Sequence, residues 1–307
     1  MDQDKAKIGE IRLHSRALVR ELDVVNGVFR DTGFTFSQCH VMFELALNGR
    51  LNLMELAERL LIDKSNASRT VKKLVQLGLI KSQKIAADQR QKVFSLTAKG
   101  ERALKSTNAL ADRQVEMALN NLSPDQQDVV TEGLRLYSTA LKRSRLQAMY
   151  SIRLIRKGDN AQIARVIRDA MTEFQAIGPG YSIGDAEVDD MHGNYQGNRA
   201  CYYVIVRDRT VVGGGGIGPL SGGTKQTCEL RKMFFLAEAR GLGLGHRLLL
   251  LLLDEAKRRG YRQCYLETLD RMWGANQLYQ RTGFQKLDKP MGKTGHCSCD
   301  RWYVKTL

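Results

Sequence analysis

Three glycines alternate with apolar residues in Arg240–Gly245, a segment that joins two predicted elements. The apolar stretch before it, Cys228–Leu236, predicts a buried strand, and Arg247–Arg259 predicts a helix that ends at Gly260. A tight turn at the start of a helix leaves the first backbone N–H groups unpaired, at the positive end of the helix dipole. The segment therefore predicts an anion site, where glycines let a pyrophosphate approach the backbone closely.

The spacing of the glycines decides among nucleotide-binding motifs. A Walker loop has Gly-Lys-Ser/Thr where this helix begins, but the chain has Gly245-His246-Arg247. The three glycines also do not fit the dinucleotide fingerprint G-x-G-x-x-G. Their pattern, Arg-x-x-Gly-x-Gly, closely resembles the acetyl-CoA pyrophosphate turn of the GNAT N-acetyltransferases. Taken alone, the turn also fits a plain connection between a strand and a helix.

A second motif adds to the resemblance. The segment Leu278–Phe284 is similar to the family signature Leu-Tyr-x-x-x-Gly-Phe, and it follows the glycine turn as in the family. The predicted strands and helices between residues 152 and 307 also come in the GNAT order. The resemblance implies an α/β GNAT fold with a central mixed, mostly antiparallel sheet, and acetyl-CoA as cosubstrate.

The resemblance also implies which residues bind acetyl-CoA. Two strands should splay apart after a bulge, and backbone N–H groups of the fourth strand should then bond the pantetheine arm and polarise the thioester carbonyl. By position, Met233 and Phe235 carry those N–H groups, and Asn276 is placed to hydrogen-bond the cofactor. The predicted cofactor-binding residues are Met233, Phe235, Arg240, Gly241, Leu242, Gly243, Leu244, Gly245, His246 and Asn276.

Two side chains match catalytic positions of the family. Glu229 lies 11 residues before Arg240, at the offset of the base glutamate of histone acetyltransferase members, which deprotonates the acceptor ammonium. Tyr279 matches the tyrosine that protonates the leaving thiolate. Alternatively, Glu229 pairs with a basic neighbour on its strand and Tyr279 only packs in the core. The acids of Asp185–Asp190 either attract a cationic amine or are merely solvated, and the acceptor is predicted only as a primary amine, a small molecule or a lysine.

Positive charge is concentrated in the first half of the chain. The formal net charge is +15, and Lys64–Lys105 holds 11 Lys and Arg residues against only Asp88 and Glu101. Such a stretch is either a solvated basic face or a surface for phosphate backbones. The chain here predicts a short helix, Leu53–Leu60, a tight turn and a second helix, Lys64–Leu77, followed by a hairpin, which is a helix-turn-helix with a wing.

The residues of this stretch resemble a MarR-type winged helix-turn-helix between about residues 10 and 145. The matching residues are Leu56-Ala57, Ser65, Ser68-Arg69, Gly78-Leu79-Ile80, Asp88-x-Arg90 and Leu96-Thr97-x-x-Gly100. The resemblance implies a recognition helix in the major groove of double-stranded DNA, with Arg90 in the minor groove and Asp88 orienting it. The predicted DNA-binding residues are Lys64, Ser65, Asn66, Ser68, Arg69, Lys72, Lys73, Lys84, Asp88 and Arg90. It also implies a homodimer in which the first and last helices, Ile8–Val28, Gly100–Asn120 and Pro124–Gln147, interlock.

We therefore predict two domains, a mainly α winged helix-turn-helix at 1–149 and an α/β GNAT domain at 150–307. No apolar run reaches the ~20 residues of a membrane span, and the N-terminus shows no signal peptide. The six scattered cysteines suit free thiols, which predicts a cytoplasmic protein. No metal is expected, and the protein is predicted to be nucleoid-associated when it is bound to DNA. Two alternatives stay open: a DNA-binding regulator whose GNAT domain is a non-catalytic acetyl-CoA sensor, and an acetyltransferase whose N-terminal half only dimerises.

Overall fold

The computed structural model describes residues 2–27, 29, 32–85 and 88–307, without the side chains of residues 2, 3, 26, 85 and 88–91. The chain forms two compact units, Met1–Val130 and Thr131–Leu307. Among the described residues, no helix has the length and apolar character needed to cross a lipid bilayer. The predicted domain boundary at residue 149 stays a prediction, because the units divide within a helix that starts at Pro124.

The first unit is mainly helical, with a small antiparallel sheet. Its elements are α1 (Asp2–Glu21), α2 (Phe36–Asn48), β1 (Leu51–Asn52), α3 (Leu53–Leu60), α4 (Lys64–Gln76), β2 (Ile80–Ile85), β3 (Asp88–Leu96), α5 (Ala98–Leu119) and the start of α6 (Pro124–Gln147). The strands lie in the order β1-β3-β2, and β2 and β3 form the hairpin that the sequence predicts. Helix α1 begins and ends earlier than the predicted Ile8–Val28, and Asp23, just beyond its last residue Glu21, adopts a left-handed conformation with φ of 62°.

The helix-turn-helix packs onto a single core. Asp63 caps α4 by accepting a hydrogen bond from the Asn66 N–H at 2.8 Å, and Gly78 ends the segment in a left-handed conformation, as predicted. Between those ends, one face of α4 is buried against α2, α3 and the sheet. The core side chains of this unit include Val41, Leu45, Leu56, Val71, Leu74, Ile80 and Phe94.

The second unit is built on a seven-stranded mixed sheet. After the end of α6 come β4 (Ser151–Leu154), α7 (Asn160–Glu173), α8 (Met191–Asn194), β5 (Cys201–Arg207), β6 (Thr210–Pro219), β7 (Thr227–Phe235), α9 (Leu244–Arg258), β8 (Gln263–Thr268), α10 (Trp273–Arg281), β9 (Gln285–Leu287) and β10 (Arg301–Thr306). The strand order is β4-β5-β6-β7-β8-β10-β9. Only β7 and β8 pair in parallel, so the predicted mixed, mostly antiparallel sheet is confirmed.

Strands β7 and β8 separate along their length. They pair at three positions, from Thr227 to Glu229 on β7, and the register goes no further. Beyond that point β7 carries a bulge, because Arg231 lies opposite Gly216 while Phe234 lies opposite Gly214, and Lys232 has a φ of 48°. The sheet therefore opens into a cleft between the far ends of β7 and β8.

Candidate active site

The glycine turn leads into α9 as the sequence predicts. Gly241 and Gly243 adopt left-handed conformations with φ of 73° and 80°, and Gly243 is the N-cap residue of α9. The first intrahelical donor is the Arg247 N–H, which bonds the Gly243 carbonyl at 3.2 Å. The N–H groups before it, including those of Leu244, Gly245 and His246, therefore lie at the positive end of a 15-residue helix, where an anion is stabilised.

The Arg240 side chain fixes the start of this turn. Its Nε donates to the Phe235 carbonyl at 2.9 Å, and Nη1 and Nη2 donate to the Glu173 carboxylate at 2.6 and 2.8 Å. These bonds hold the pKa of Glu173 below its usual value. The guanidinium also stacks over the Phe174 ring, 5.1 Å from its centroid. Its charge is thus paired within the protein, and we expect Arg240 to support the turn rather than to carry a free charge to a phosphate.

A cavity of about 510 Å³ runs from the turn along the open edge of β7. The Leu236 N–H bonds the Val212 carbonyl at 2.9 Å, so the adjacent pair Gly213–Phe235 is of the non-hydrogen-bonded kind. The Phe235 N–H therefore points away from β6, toward the side from which β8 has diverged. Met233 lies within the bulge of β7, and the bonding of the Met233 and Phe235 N–H groups to a ligand stays a prediction.

The lining of this cavity suits a long, partly apolar ligand with a charged end. Phe174, Phe235, Trp273 and Leu278 supply apolar surface, and Gly241 and Gly245 form the anion-binding end. These residues fit acetyl-CoA, whose pyrophosphate is expected at the turn and whose pantetheine arm is expected along β7.

A second, smaller cavity of about 80 Å³ lies beside the first and is more polar. Both cavities are lined by Met233, Phe234, Met272, Ala275 and Tyr279. On its far side the small cavity is bounded by two buried carboxylates, Glu229 and Glu267, and by His296. A ligand in the long cavity would therefore end beside a pocket that can bind a cation.

Glu229 is buried, with 5% of its side chain exposed. Its Oε2 accepts a hydrogen bond from Arg231 Nε at 2.7 Å, so the pairing considered as an alternative does occur. Burial nevertheless raises the pKa of Glu229, against the lowering effect of Arg231. Oε1 accepts no hydrogen bond from the described residues, and the carboxylate keeps an acceptor for a ligand.

Tyr279 lies at the junction of the two cavities. Its ring packs against Phe284 and Tyr303, with centroid distances of 5.8 and 6.0 Å, and burial raises the pKa of its phenol. Asn276 is fully engaged: its Nδ2 donates to the Leu269 and Met272 carbonyls at 2.8 and 3.0 Å, and its Oδ1 accepts from the Tyr303 hydroxyl at 2.9 Å. We therefore expect Asn276 to hold the loop before α10 rather than to bond the cofactor.

A cluster of buried charges, absent from the sequence-based site, borders the small cavity. Lys232, with 2% of its side chain exposed, pairs through Nζ with Asp185 and, at 3.1 Å, with Glu187. His296 Nε2 lies 2.9 Å from Asp185 Oδ2, and its Nδ1 lies 3.6 Å from Glu267 Oε2. The loop acids Asp185 and Glu187 are thus already paired, and Glu229 and Glu267 are the carboxylates that line the cavity.

The helix α4 presents its predicted DNA-binding residues to solvent. The side chains of Lys64, Ser65, Asn66, Ser68, Arg69, Lys72, Lys73 and Lys84 are exposed. Arg69 Nη2 donates to Asn66 Oδ1 at 2.5 Å, and Asn66 Nδ2 donates to Asp63. These hydrogen bonds connect the exposed side of α4 to its N-cap residue. The side chains of Asp88 and Arg90 lie outside the described residues, and their predicted contact stays a prediction.

Comparison with known proteins agrees with this geometry. Residues 163–284 match the sequence profile of the acetyltransferase (GNAT) family. The uncharacterized N-acetyltransferase YjgM of Escherichia coli is 39% identical over 150 residues, which make up 48% of this chain and 90% of that protein. This chain belongs to the GNAT acetyltransferase family. The structure of yncA from Salmonella typhimurium, with its cofactor acetyl-CoA, covers 52% of this chain and 94% of its own at 20% identity and a TM-score of 0.43.

The GNAT domain is fused to a MarR-type domain. Residues 32–91 match the profile of the MarR family. The HTH-type transcriptional regulator TcaR of Staphylococcus aureus is 31% identical over 94 residues, which make up 30% of this chain and 62% of that protein. The predicted fusion of a MarR-type winged helix-turn-helix with a GNAT domain is therefore confirmed.

The charge cluster of the GNAT domain makes its stability depend on pH. Hydrogen bonds to Asp185 and Glu267 raise the pKa of His296 from 6.5 to about 9. Because the folded pKa lies above the unfolded one, this contribution is fully present below pH 6.5 and is lost as the pH rises through about 9. The melting temperature of wild type is expected to exceed that of His296→Gln at acidic to neutral pH, and the gap to close at alkaline pH. His14→Gln, which replaces a histidine of the first unit, serves as the control. A difference in melting temperature between wild type and His296→Gln that stays constant with pH, or that His14→Gln also shows, would contradict this prediction.

Proposed function

We propose that this protein is a bifunctional MarR-type transcriptional regulator and acetyl-CoA-dependent N-acetyltransferase. The carrying observation is that the two cavities share five lining residues, which places buried Glu229 and Glu267 near the end of the long cavity in which acetyl-CoA is expected to bind. Acetyl-CoA supplies the activated acetyl thioester, and the chain must place a neutral amine beside it.

The residues around the two cavities can carry out each proton transfer that the acetyl transfer requires. A primary amine enters the small cavity as an ammonium, which the two carboxylates attract. Glu229 takes one proton from the ammonium, directly or through a water, so that the nitrogen lone pair can attack the thioester carbonyl carbon. The Met233 and Phe235 N–H groups polarise the carbonyl oxygen.

The thiolate that leaves as the C–S bond breaks needs a proton, and Tyr279 is the proposed donor. Burial raises the pKa of this phenol, so it is protonated when the thiolate leaves. The second proton that the nitrogen loses in becoming an amide returns to Tyr279, and Glu229 releases its proton to solvent. The products are an N-acetylated amine and CoA. Asp185, Glu187, Lys232 and His296 keep the polar end of the pocket charged and ordered.

For the first unit, we propose binding of double-stranded DNA by a homodimer. The exposed basic face of α4 supports DNA binding, since its cations are free to neutralise phosphates. Exposed apolar side chains on α1, α5 and α6 support dimerisation, because a lone chain would leave them in water. They include Ile8, Leu13, Leu18, Val115, Val129, Leu134 and Leu141.

The test is CoA release from acetyl-CoA with a panel of amines, amino acids, polyamines and lysine peptides. The same protein is then titrated onto DNA with and without acetyl-CoA. We expect turnover with at least one class of amine. Tight acetyl-CoA binding without turnover, together with a shift in DNA affinity, would instead favour the sensor alternative.

A further inference from the structure

The end of helix α6 contacts the glycine turn within the second unit. Gln147 Nε2 donates to the Leu242 carbonyl at 2.7 Å. A Cβ atom at Gly243 would lie 2.7 Å from Gln147 Nε2 and 3.3 Å from Arg143 Cδ. The φ of 80° at position 243 favours glycine, and a larger residue there would also displace the Gln147 side chain from its bond to Leu242.

The contact places an unpaired cation at the mouth of the anion site. Arg143 and Gln147 are four residues apart, so they share one face of α6. Arg143 Cδ lies beside the N-cap residue of α9, only 3.3 Å from where a Cβ of that residue would be, so the flexible end of this side chain is within range of the N–H groups of the turn. Arg143 is exposed and has no ion pair or hydrogen bond among the described residues. Arg240, in contrast, already pairs with Glu173.

We propose that Arg143 binds a phosphate of acetyl-CoA. The inference rests on the proposed function and assigns to that site a side chain from α6, the helix that begins in the first unit. A guanidinium forms charge-assisted, often bidentate hydrogen bonds with phosphate, and here it adds to the positive end of α9. Gln147 holds the Leu242 carbonyl and so keeps the turn and α6 at this distance.

The experiment measures CoA binding to the full chain by isothermal titration calorimetry. Arg143→Gln is expected to weaken CoA binding about tenfold, the effect of one charge-assisted bond of ~1.4 kcal/mol, and to reduce its salt dependence. Arg145→Gln removes the same charge from another face of α6 and should bind CoA like wild type. Arg143→Lys should recover much of the lost affinity. Pantetheine, which lacks the pyrophosphate, should bind wild type and Arg143→Gln equally.

The outcomes separate this inference from the proposed function. Wild-type affinity and salt dependence in Arg143→Gln, while wild type binds CoA, would overturn the role of Arg143 alone. An equal loss with pantetheine would overturn it too, because the effect would then not involve a phosphate. Failure of wild type to bind CoA at all would overturn both.

Discussion

Glu229→Gln is expected to lower kcat by about 10²–10⁴-fold near neutral pH, the usual contribution of a general base, while leaving the Kd for acetyl-CoA unchanged. The amide keeps the size of the side chain and can still accept a hydrogen bond from Arg231, but it cannot take a proton from the ammonium. Glu229 lines only the small cavity, which explains the unchanged cofactor affinity. Steady-state rates and acetyl-CoA titrations measure the two quantities separately.

The deficit should depend on pH in a defined direction. An acceptor amine with an ordinary pKa near ~10 is almost entirely protonated at neutral pH, so base assistance matters most there and less as the pH rises. The ratio of wild-type to variant kcat should therefore shrink toward alkaline pH. Wild type itself should lose activity at acidic pH, below the raised pKa of Glu229, where the carboxylate is protonated.

Two variants serve as controls for this prediction. Asp254→Asn neutralises an exposed carboxylate on α9 and should retain wild-type rates at every pH. Glu267→Gln removes the other carboxylate of the cavity. If Glu229→Gln matched wild type and Glu267→Gln showed the pH-dependent loss, proton removal would belong to Glu267.

Local sequence patterns predicted the turn and the helices around it for physical reasons. Alternating glycines between a predicted strand and an apolar helix predict a tight turn, because Gly241 and Gly243 can adopt positive φ without strain. The cap at Asp63 and the end at Gly78 follow from equally local chemistry. The bulge and the separation of β7 from β8 came only from the resemblance, since strand pairing is set by distant parts of the chain.

The charged pocket could not be predicted from local patterns. Asp185, Lys232, Glu267 and His296 come from four separate segments. The sequence offered Asp185 only as one of several loop acids and gave no sign that it pairs with Lys232 and His296. Only tertiary packing buries them together. The hydrogen-bond partners of side chains could not be predicted either. Nothing near Asn276 in the sequence indicates that its amide bonds backbone carbonyls and the Tyr303 hydroxyl.

Replacing Lys64, Lys72 and Lys73 together by Gln is expected to weaken binding to double-stranded DNA by at least about 10²-fold at low salt. Each lysine that contacts a phosphate contributes about 0.9 to the slope of log K against log salt concentration, so the slope should fall by up to about 2.7 per protomer and up to about 5.4 for the homodimer. All three side chains are exposed on α4. Fluorescence anisotropy over a salt series measures affinity and slope in one experiment.

The matched control removes three exposed lysines from the second unit, Lys286, Lys289 and Lys293. This variant has the same net charge as the α4 variant, so a difference between the two shows where the DNA lies and not merely how basic the protein is. The α4 variant should also acetylate at the wild-type rate, because its changes lie in the first unit. An unchanged salt slope in the α4 variant would remove the recognition helix from DNA binding. It would also favour the alternative in which the first unit serves only to dimerise an acetyltransferase.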